Sequence, residues 1–149
     1  MRWKPNVTVA GIAEQSGRFL LIEESTADGV RLNQPAGHLE DGETLLQAVE
    51  REVLEETTCR FTPQALIGVY QWREASGEPT FMRFSFAGSV AAPDASLRLD
   101  QGIERTVWMT RDEIAQARQR FRSPWVLICI DDYLAGRRIP LDLIRTLQP

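Results

Sequence analysis

The chain has 149 residues, of which 43% are hydrophobic, and it carries a formal net charge of −4 with an isoelectric point near 5.1. A chain of this length buries roughly 68 to 70% of its unfolded surface, so we expect one domain with its own core over residues 1–149. Because its net charge is negative, the chain lacks the excess of Lys and Arg with which proteins bind nucleic acid or anionic membranes through charge alone.

The cysteines and the hydropathy of the sequence indicate in which cellular compartment the protein is expected. Cys59 and Cys129 lie far apart without metal-ligand spacing, which favours free thiols over a zinc site or a disulfide framework. The start, MRWKPNVTVAGIAE, lacks the apolar run of a signal peptide, and no segment approaches the roughly 20 apolar residues of a membrane span. We therefore expect a cytoplasmic protein, monomeric or homodimeric, that binds neither nucleic acid nor a membrane.

The N-terminal third contains two apolar runs followed by a segment rich in turn residues. VTVAGIA at 7–13 and RFLLIEE at 18–24 flank a short polar stretch with Gly17, which predicts a β-hairpin. Residues 25–42 are interrupted by glycine and proline and predict a loop.

Helix 44–57 comes next, because Thr44 and Gln47 have the spacing of a capping box ahead of a periodic segment. At about 100° per residue, Leu45, Leu46, Val49 and Val53 share an apolar face. The acids Glu52, Glu55 and Glu56 fall on a neighbouring arc, with Arg51 at its border.

The remaining two thirds of the chain alternate strand and helix patterns. LIGVYQW at 66–72, TFMRFSFAGSV at 80–90 and TVWMT at 106–110 predict strands, and Phe81, Arg83 and Ser85 share one face of the second. Capping signals predict helices from 110 to about 118, and from 124 to 135 with Ser123 as N-cap and Gly136 at the C-terminal end. Trp3, Trp108 and Trp125 are expected in the core. This order of elements predicts a mixed α/β (α+β) fold, with a mixed sheet in an α/β/α sandwich.

The acidic arc of helix 44–57 has two interpretations. A solvated charged face is the ordinary one, since surface helices often carry such runs. However, like charges at i,i+4 destabilise a helix, and these acids border the apolar stripe. A hard divalent cation such as Mg²⁺ takes oxygen ligands and bridges one or two protein carboxylates to substrate phosphates. The cluster is thus also typical of a site for a metal–phosphate complex.

Seven residues of GHLEDGETLLQAVEREVLEETTC resemble the Nudix box in their spacing, namely Gly37, Glu43, Arg51, Glu52, Val53, Glu55 and Glu56. Thr58 stands where the box has glycine, and Cys59 where it has an aliphatic residue, so the C-terminal cap of the helix departs from the pattern. The resemblance implies a Nudix fold and hydrolysis of phosphoanhydrides. It implies Mg²⁺, with Mn²⁺ as a substitute, held by Glu52, Glu55, Glu56 and the Gly37 carbonyl.

The same resemblance assigns Arg51 to the catalytic group and Glu43 to orienting the loop and helix. Many Nudix enzymes use a later acid as well, and Asp100 and Glu104 are the candidates here. Glu104 is taken as the further metal ligand, while ordinary loop acids remain an equal alternative.

Four residues are candidates for substrate binding, each with a structural alternative. His38, the only histidine, follows Gly37 and could contact a phosphate oxygen or only the backbone. Gln34 could read a heterocycle edge through its amide, or serve in packing or in a turn. Arg83 could hold phosphate and Trp72 could stack on a ring, or both could pack across strands.

Further stretches carry the resemblance along nearly the whole chain, namely KPNVTVAGIAE, NQPAGHLEDGETL, QWRE, FMRFSFAG and RSPW. In combination they resemble the NudJ-type phosphatases, which implies orthophosphate release from nucleoside tri- and diphosphates and from thiamine pyrimidine pyrophosphate. An ADP-ribose or nucleoside-diphosphate-sugar pyrophosphatase is the alternative enzyme. A non-catalytic Nudix-like module that binds nucleotides is the alternative of another class. The intact Glu52, Glu55 and Glu56 argue against this last reading.

Overall fold

In residues 1–147, which the computed structural model describes, eight strands and three α-helices follow one another along the chain. They are β1 (Asn6–Ile12), β2 (Glu14–Gln15), β3 (Arg18–Thr26), β4 (Gly29–Asn33), β5 (Ala36–His38), α1 (Leu45–Thr57), β6 (Phe61–Arg73), β7 (Thr80–Val90), β8 (Ile103–Thr110), α2 (Arg111–Gln116) and α3 (Trp125–Leu134). The expected domain also includes residues 148 and 149, which lie outside the described residues. Among the described helices, none is long and apolar enough to cross a membrane.

The strands form two sheets. One has the order β5-β1-β7-β6, with β1 and β7 parallel and the other neighbours antiparallel. In the other sheet, β3 pairs with β2, β4 and β8. Helix α1 packs on one apolar cluster, with β1, β3, β6 and β7, while α2 and α3 pack on a second cluster that shares the same strands. The predicted mixed sheet between helices is therefore confirmed.

The N-terminal hairpin is much shorter than predicted. Glu14 pairs with Phe19 and Gln15 with Arg18 around a tight turn, but β1 does not pair with β3. Instead, β1 lies between β5 and β7 in the other sheet. Because β1 is buried on both faces, the backbone N–H and C=O groups along both of its edges need hydrogen-bond partners within the protein. A simple hairpin would supply a partner strand on one edge only.

The prediction of a loop over residues 25–42 is wrong, because this stretch contains the end of β3 and all of β4 and β5. Gly29 opens β4 with a positive φ of 101°, and Pro35 lies between β4 and β5. Leu32 of β4 is fully buried. The glycine and proline thus separate short strands from one another rather than preventing them.

The later elements follow the predictions more closely. Strand β7 has the predicted bounds, β6 and β8 begin earlier than predicted, and α2 ends at Gln116. Gly136 follows α3 with a φ of 85°, as expected for a C-terminal cap. The hydroxyl of Ser123, predicted to cap α3, has no hydrogen-bond partner within residues 1–147.

Two of the three tryptophans predicted for the core are at least partly buried. Trp125 is 7% exposed and Trp108 packs against the α1 cluster, but Trp3 is 61% exposed. The prediction for Trp3 is wrong because this residue precedes β1 and lies outside both clusters. Cys59 and Cys129 are free and buried, as expected.

Helix α1 has the predicted N-terminal cap and an unusual C-terminal one. Thr44 accepts a hydrogen bond from the Gln47 backbone N–H, and Gln47 returns one from its side chain to the Thr44 N–H. At the other end, Thr58 adopts a φ of 61°, the left-handed conformation for which the corresponding box position has glycine. Thr58 therefore makes the turn that glycine would make, against the steric preference of a β-branched residue.

Replacing Thr58 by glycine should stabilise the fold. Left-handed backbone is unfavourable by roughly 1–2 kcal/mol for a residue with a Cβ, so Thr58→Gly should raise the free energy of unfolding by up to about 1 kcal/mol. Urea unfolding followed by circular dichroism measures this change. Thr106→Gly in β8 is the matched control and should destabilise, because its backbone is ordinary strand. A loss of stability at both positions would contradict the prediction.

Candidate active site

The three acids of α1 that belong to the box, Glu52, Glu55 and Glu56, differ in exposure. Glu56 is 7% exposed, and its Oε1 accepts a hydrogen bond of 2.6 Å from the Ala36 N–H. Burial raises the pKa of the Glu56 carboxyl to about 8, against the lowering effect of that N–H. Burial also raises the pKa of Glu52, although Arg51 opposes the shift. Glu55 is more exposed than Glu52. The helix thus presents a line of carboxylates from solvent into the protein.

Arg51 holds this acidic group together. Its Nε and Nη2 donate to the two carboxylate oxygens of Glu43 at 3.0 and 2.8 Å, and its Nη1 donates to Glu52 at 2.7 Å and to Glu55 at 3.3 Å. Nη2 also donates to the His38 carbonyl at 2.9 Å. The hydrogen bond from Arg51 lowers the pKa of Glu43. One guanidinium therefore joins β5, the loop before α1 and α1 itself.

Gly37 is the point where β5 and α1 approach most closely. A Cβ at this position would overlap the carboxylate of Glu52, so only glycine leaves room for that side chain. Ala36, on one side of Gly37, binds Glu56 through its N–H, and His38, on the other, binds Arg51 through its carbonyl. Strand β5 thus contacts the catalytic candidates of α1 along its whole length.

The two late acids occupy different surroundings. The N–H of Asp100 donates to the Glu55 carbonyl at 2.9 Å, and Asp100 is one of the negative charges that add to burial in raising the pKa of Glu52 and Glu56. Glu104 instead accepts a hydrogen bond from the Ser25 hydroxyl. The structure therefore brings Asp100 to the acids of α1 and places Glu104 beside β3.

The donor atoms around α1 suit a hard divalent cation. Carboxylate and carbonyl oxygens are the preferred ligands of such ions, and Gly37 leaves the space in which the Glu52 carboxylate lies. Across residues 1–147, no three acidic, histidine or cysteine side chains form a ready-made ligand cluster. The carboxylates of Glu52 and Glu55 accept hydrogen bonds from Arg51, and that of Glu56 accepts one from the Ala36 N–H. These side chains would therefore need to rotate in order to coordinate an ion.

A cavity of about 270 Å³ opens beside β5. Its lining includes Ala36, Gly37 and His38 from β5, together with side chains of β1, β7, β6 and α3. The β-sheet register explains this grouping, since Thr8 of β1 pairs with His38 on one side and with Arg83 on the other. The cavity therefore begins at the backbone that contacts Glu56 and extends across the sheet toward α3.

Arg83 forms part of the buried wall of this cavity. It is 2% exposed, its Nη2 donates to Asn33 at 3.3 Å and to Gln34 at 3.2 Å, and its Cζ lies 4.8 Å from the Trp125 ring centroid. Burial lowers the pKa of Arg83 to about 10. Because its hydrogen-bond acceptors are neutral amides, the guanidinium charge is available to a ligand.

Gln34 does not line the cavity, contrary to its predicted role in reading a heterocycle. Its side chain is fully buried, its Nε2 donates to the Val126 carbonyl at 2.7 Å, and its Oε1 accepts from Arg83. Both ends of the amide are thus engaged within the protein. Gln34 instead fixes the position of Arg83 relative to α3.

Trp72 and His38 both line the cavity. The Trp72 ring stacks on Phe81 with centroids 6.0 Å apart and meets Trp125 edge-on at 5.2 Å. Cross-strand packing, the alternative to ligand stacking for Trp72, is therefore present, and the two roles coexist because the ring also forms part of the cavity surface.

Comparison with known sequences identifies the protein family to which this motif and this fold belong. The sequence model of the NUDIX domain matches residues 2–127. The chain belongs to the Nudix hydrolase family. Nudix hydrolases generally use a divalent metal ion and act on small nucleotide substrates, and this member is a hydrolase of phosphorus-containing acid anhydrides.

Its relatives include phosphatases and a solved hydrolase structure. The chain is 40% identical over 142 residues to the protein named Phosphatase NudJ from Escherichia coli (strain K12), and equally to that from Shigella flexneri, covering 95% of this chain and 92% of each relative. A NUDIX hydrolase structure from Nitrosomonas europaea is 48% identical with a TM-score of 0.93, covering 97% of this chain and 98% of that one. This Nudix chain is thus a NudJ-like phosphatase homologue.

Sequence reasoning missed several residues of the Nudix cavity. Thr8, Glu24, Ser123 and Trp125 line it but carry no motif of their own. Thr8 could have been found from the alternation of β1 only if its parallel pairing with β7 had been known. Ser123 and Trp125 reach the cavity because α3 packs over the sheet, which no local pattern specifies.

Proposed function

We propose that this Nudix chain is a Mg²⁺-dependent phosphatase that releases orthophosphate from nucleoside tri- and diphosphates and from thiamine pyrimidine pyrophosphate. One observation carries the proposal: the backbone of β5 joins the carboxylates of α1 to a cavity walled by aromatic rings and Arg83. The name of the 40% identical relatives, Phosphatase NudJ, supports the same reaction type.

Under this proposal, Mg²⁺ or its substitute Mn²⁺ is held by Glu52, Glu55, Glu56 and the Gly37 carbonyl. We add Asp100 in preference to Glu104, because its charge acts on Glu52 and Glu56 whereas Glu104 is bonded to Ser25. A bound divalent ion would neutralise phosphate oxygens and make a water molecule more acidic.

Other residues of the chain hold the metal ligands and the substrate in position. Arg51 and Glu43 fix the loop before α1, so that the carboxylates are aligned before substrate binds. His38 lies at the cavity entrance, exposed, where its ring can contact a phosphate oxygen. Arg83 supplies positive charge inside the cavity.

The arrangement favours attack at the terminal phosphorus. Trp72, Phe81 and Trp125 line the cavity, whereas Glu55 lies at the solvent side of the acidic line. A substrate whose organic end enters the interior therefore directs its last phosphate outward past the acids. Water attack at that phosphorus breaks its bond to the rest of the substrate, which is the leaving group, and the orthophosphate formed can depart directly to solvent.

Phosphorus NMR of the products tests the proposal. A nucleoside triphosphate, a nucleoside diphosphate, thiamine pyrimidine pyrophosphate and ADP-ribose are each incubated with the protein and Mg²⁺. Orthophosphate from the first three compounds is the expected result, and parallel samples with EDTA should show no turnover.

Other product patterns would overturn parts of the proposal. Pyrophosphate from the triphosphate would place the attack at an inner phosphorus. Two monophosphates from ADP-ribose, without turnover of the other compounds, would make the chain a dinucleotide-type pyrophosphatase. No turnover of any phosphoanhydride would leave only a binding module.

A further inference from the structure

Unpartnered polar atoms are concentrated at one place in the molecule. In the part of the chain that the structure describes, four buried side-chain nitrogen or oxygen atoms have no hydrogen-bond partner, and they are Thr8 Oγ1, Arg83 Nε, Ser123 Oγ and Trp125 Nε1. All four residues are at least nine-tenths buried, and all four line the cavity beside β5.

Such atoms are unfavourable in a folded protein unless ordered water or a ligand satisfies them. A buried donor without an acceptor is destabilising by about 1–3 kcal/mol, and native structures contain few of these groups. Here they come from three separate elements, β1, β7 and the start of α3, yet they meet at one surface. Chance misfits would be distributed through the core, so this convergence indicates a binding surface.

The chemistry of the four atoms defines their ligand. Arg83 Nε and Trp125 Nε1 can only donate, while the hydroxyls of Thr8 and Ser123 can donate or accept. The ligand must therefore offer acceptor atoms. Trp72 and Phe81 add aromatic surface to the same cavity, which suits a flat ring.

A phosphate is a poorer match for this interior than a ring. The carboxylates of Glu24 and Glu74 line the cavity together with the guanidiniums of Arg83 and Arg122, and Arg122 Nε lies 3.7 Å from Glu24 Oε1, so these four side chains carry no net positive charge to hold a multiply charged anion. In the proposed function, the phosphates lie at the acids of α1, outside the interior.

We propose that the cavity interior binds the acceptor-bearing edge of the substrate's planar heterocycle, with Arg83 Nε and Trp125 Nε1 as the principal donors. This inference rests on the proposed function, because it requires the phosphates to lie at the acids of α1. It makes Trp125 and Thr8 specificity-determining residues, and it assigns Gln34 a positioning role through Arg83.

The test compares substrates with and without a ring. Trp125→Phe keeps the aromatic surface but removes Nε1–H, and Thr8→Val removes a hydroxyl at similar volume. Each variant should raise KM for GTP, ATP, CTP or UTP by about tenfold where the base uses that donor, as expected for one buried hydrogen bond. Inorganic tripolyphosphate, which has phosphoanhydrides but no ring, should be hydrolysed as by the wild type.

Trp108→Phe is the matched control, since Trp108 packs on the α1 cluster outside the cavity, and its kinetics should be unchanged. Urea midpoints verify that every variant is folded. The inference is overturned if both variants leave all nucleotide KM values unchanged, or if tripolyphosphate and nucleotides lose activity to the same extent.

A binding measurement keeps this inference separate from the proposed function. Quenching of tryptophan fluorescence by nucleoside monophosphates, without metal, reports ring binding whether or not the chain is a phosphatase. Saturable quenching in the wild type, weakened about tenfold in Thr8→Val, is expected. If the wild type shows no saturable quenching, the ring subsite is wrong even where orthophosphate release is observed.

Discussion

Replacing Glu52 by glutamine is expected to lower kcat by more than about a hundredfold while the protein stays folded. Losing even an outer-shell partner of a metal typically lowers activity 10- to 100-fold, and Glu52 is proposed as a direct ligand. The amide keeps the shape of the side chain and can still accept a hydrogen bond from Arg51. Steady-state orthophosphate release with saturating Mg²⁺ measures the loss.

Glu50→Gln is the control for this prediction, because it removes the same charge from an exposed position on the same helix. Its kcat should equal that of the wild type. Nucleotide binding by Glu52→Gln should survive, which separates a catalytic role from a binding module. Full activity in Glu52→Gln would exclude Glu52 from the metal site.

Replacing Gly37 by alanine should destabilise the protein and reduce its activity together. The added methyl group would overlap the Glu52 carboxylate, and overpacking of this kind typically lowers the free energy of unfolding by about 1–3 kcal/mol. Urea unfolding measures the stability loss, and orthophosphate release measures the activity. Displacement of Glu52 should lower kcat/KM at least tenfold, since positioning errors of about 1 Å can lower rates about a hundredfold.

A double-mutant cycle identifies the atoms responsible. In a Glu52→Ala background, the space beside Gly37 is vacant, so Gly37→Ala should then be close to neutral for stability. An equal loss of stability in both backgrounds would show that the strain at Gly37 comes from another contact.

Helix α1 and its acids could be predicted because their signals are local. Thr44 and Gln47 are three residues apart, and the i,i+4 contact between Arg51 and Glu55 follows from helix geometry. The bonds from Arg51 to Glu43 and to the His38 carbonyl could not be derived this way, since they depend on how β5 returns toward α1. The sequence therefore identifies Arg51 and the acids of α1, but not the bonds through which Arg51 links them to the sheet.

The cavity could not be predicted, for a topological reason. Thr8 and Arg83 are neighbours only because β1 and β7 are parallel with a particular register, and that pairing joins distant parts of the chain. For the same reason the sequence does not decide whether Gln34 contacts substrate, packs inside the protein or forms a turn. Its amide is engaged by Val126 and Arg83, which lie 92 and 49 positions away.

The Arg51 contacts have a consequence for how the protein responds to scarce metal. A group of like charges ordinarily opposes folding, but here the guanidinium of Arg51 pairs with Glu43, Glu52 and Glu55 and offsets part of their mutual repulsion. Under the proposed function, we therefore expect the chain to fold in a metal-depleted cell but not to turn over its substrate. Divalent ion supply would then govern the rate of turnover, and it would add to the stability of the fold only as far as the ion binds the folded site.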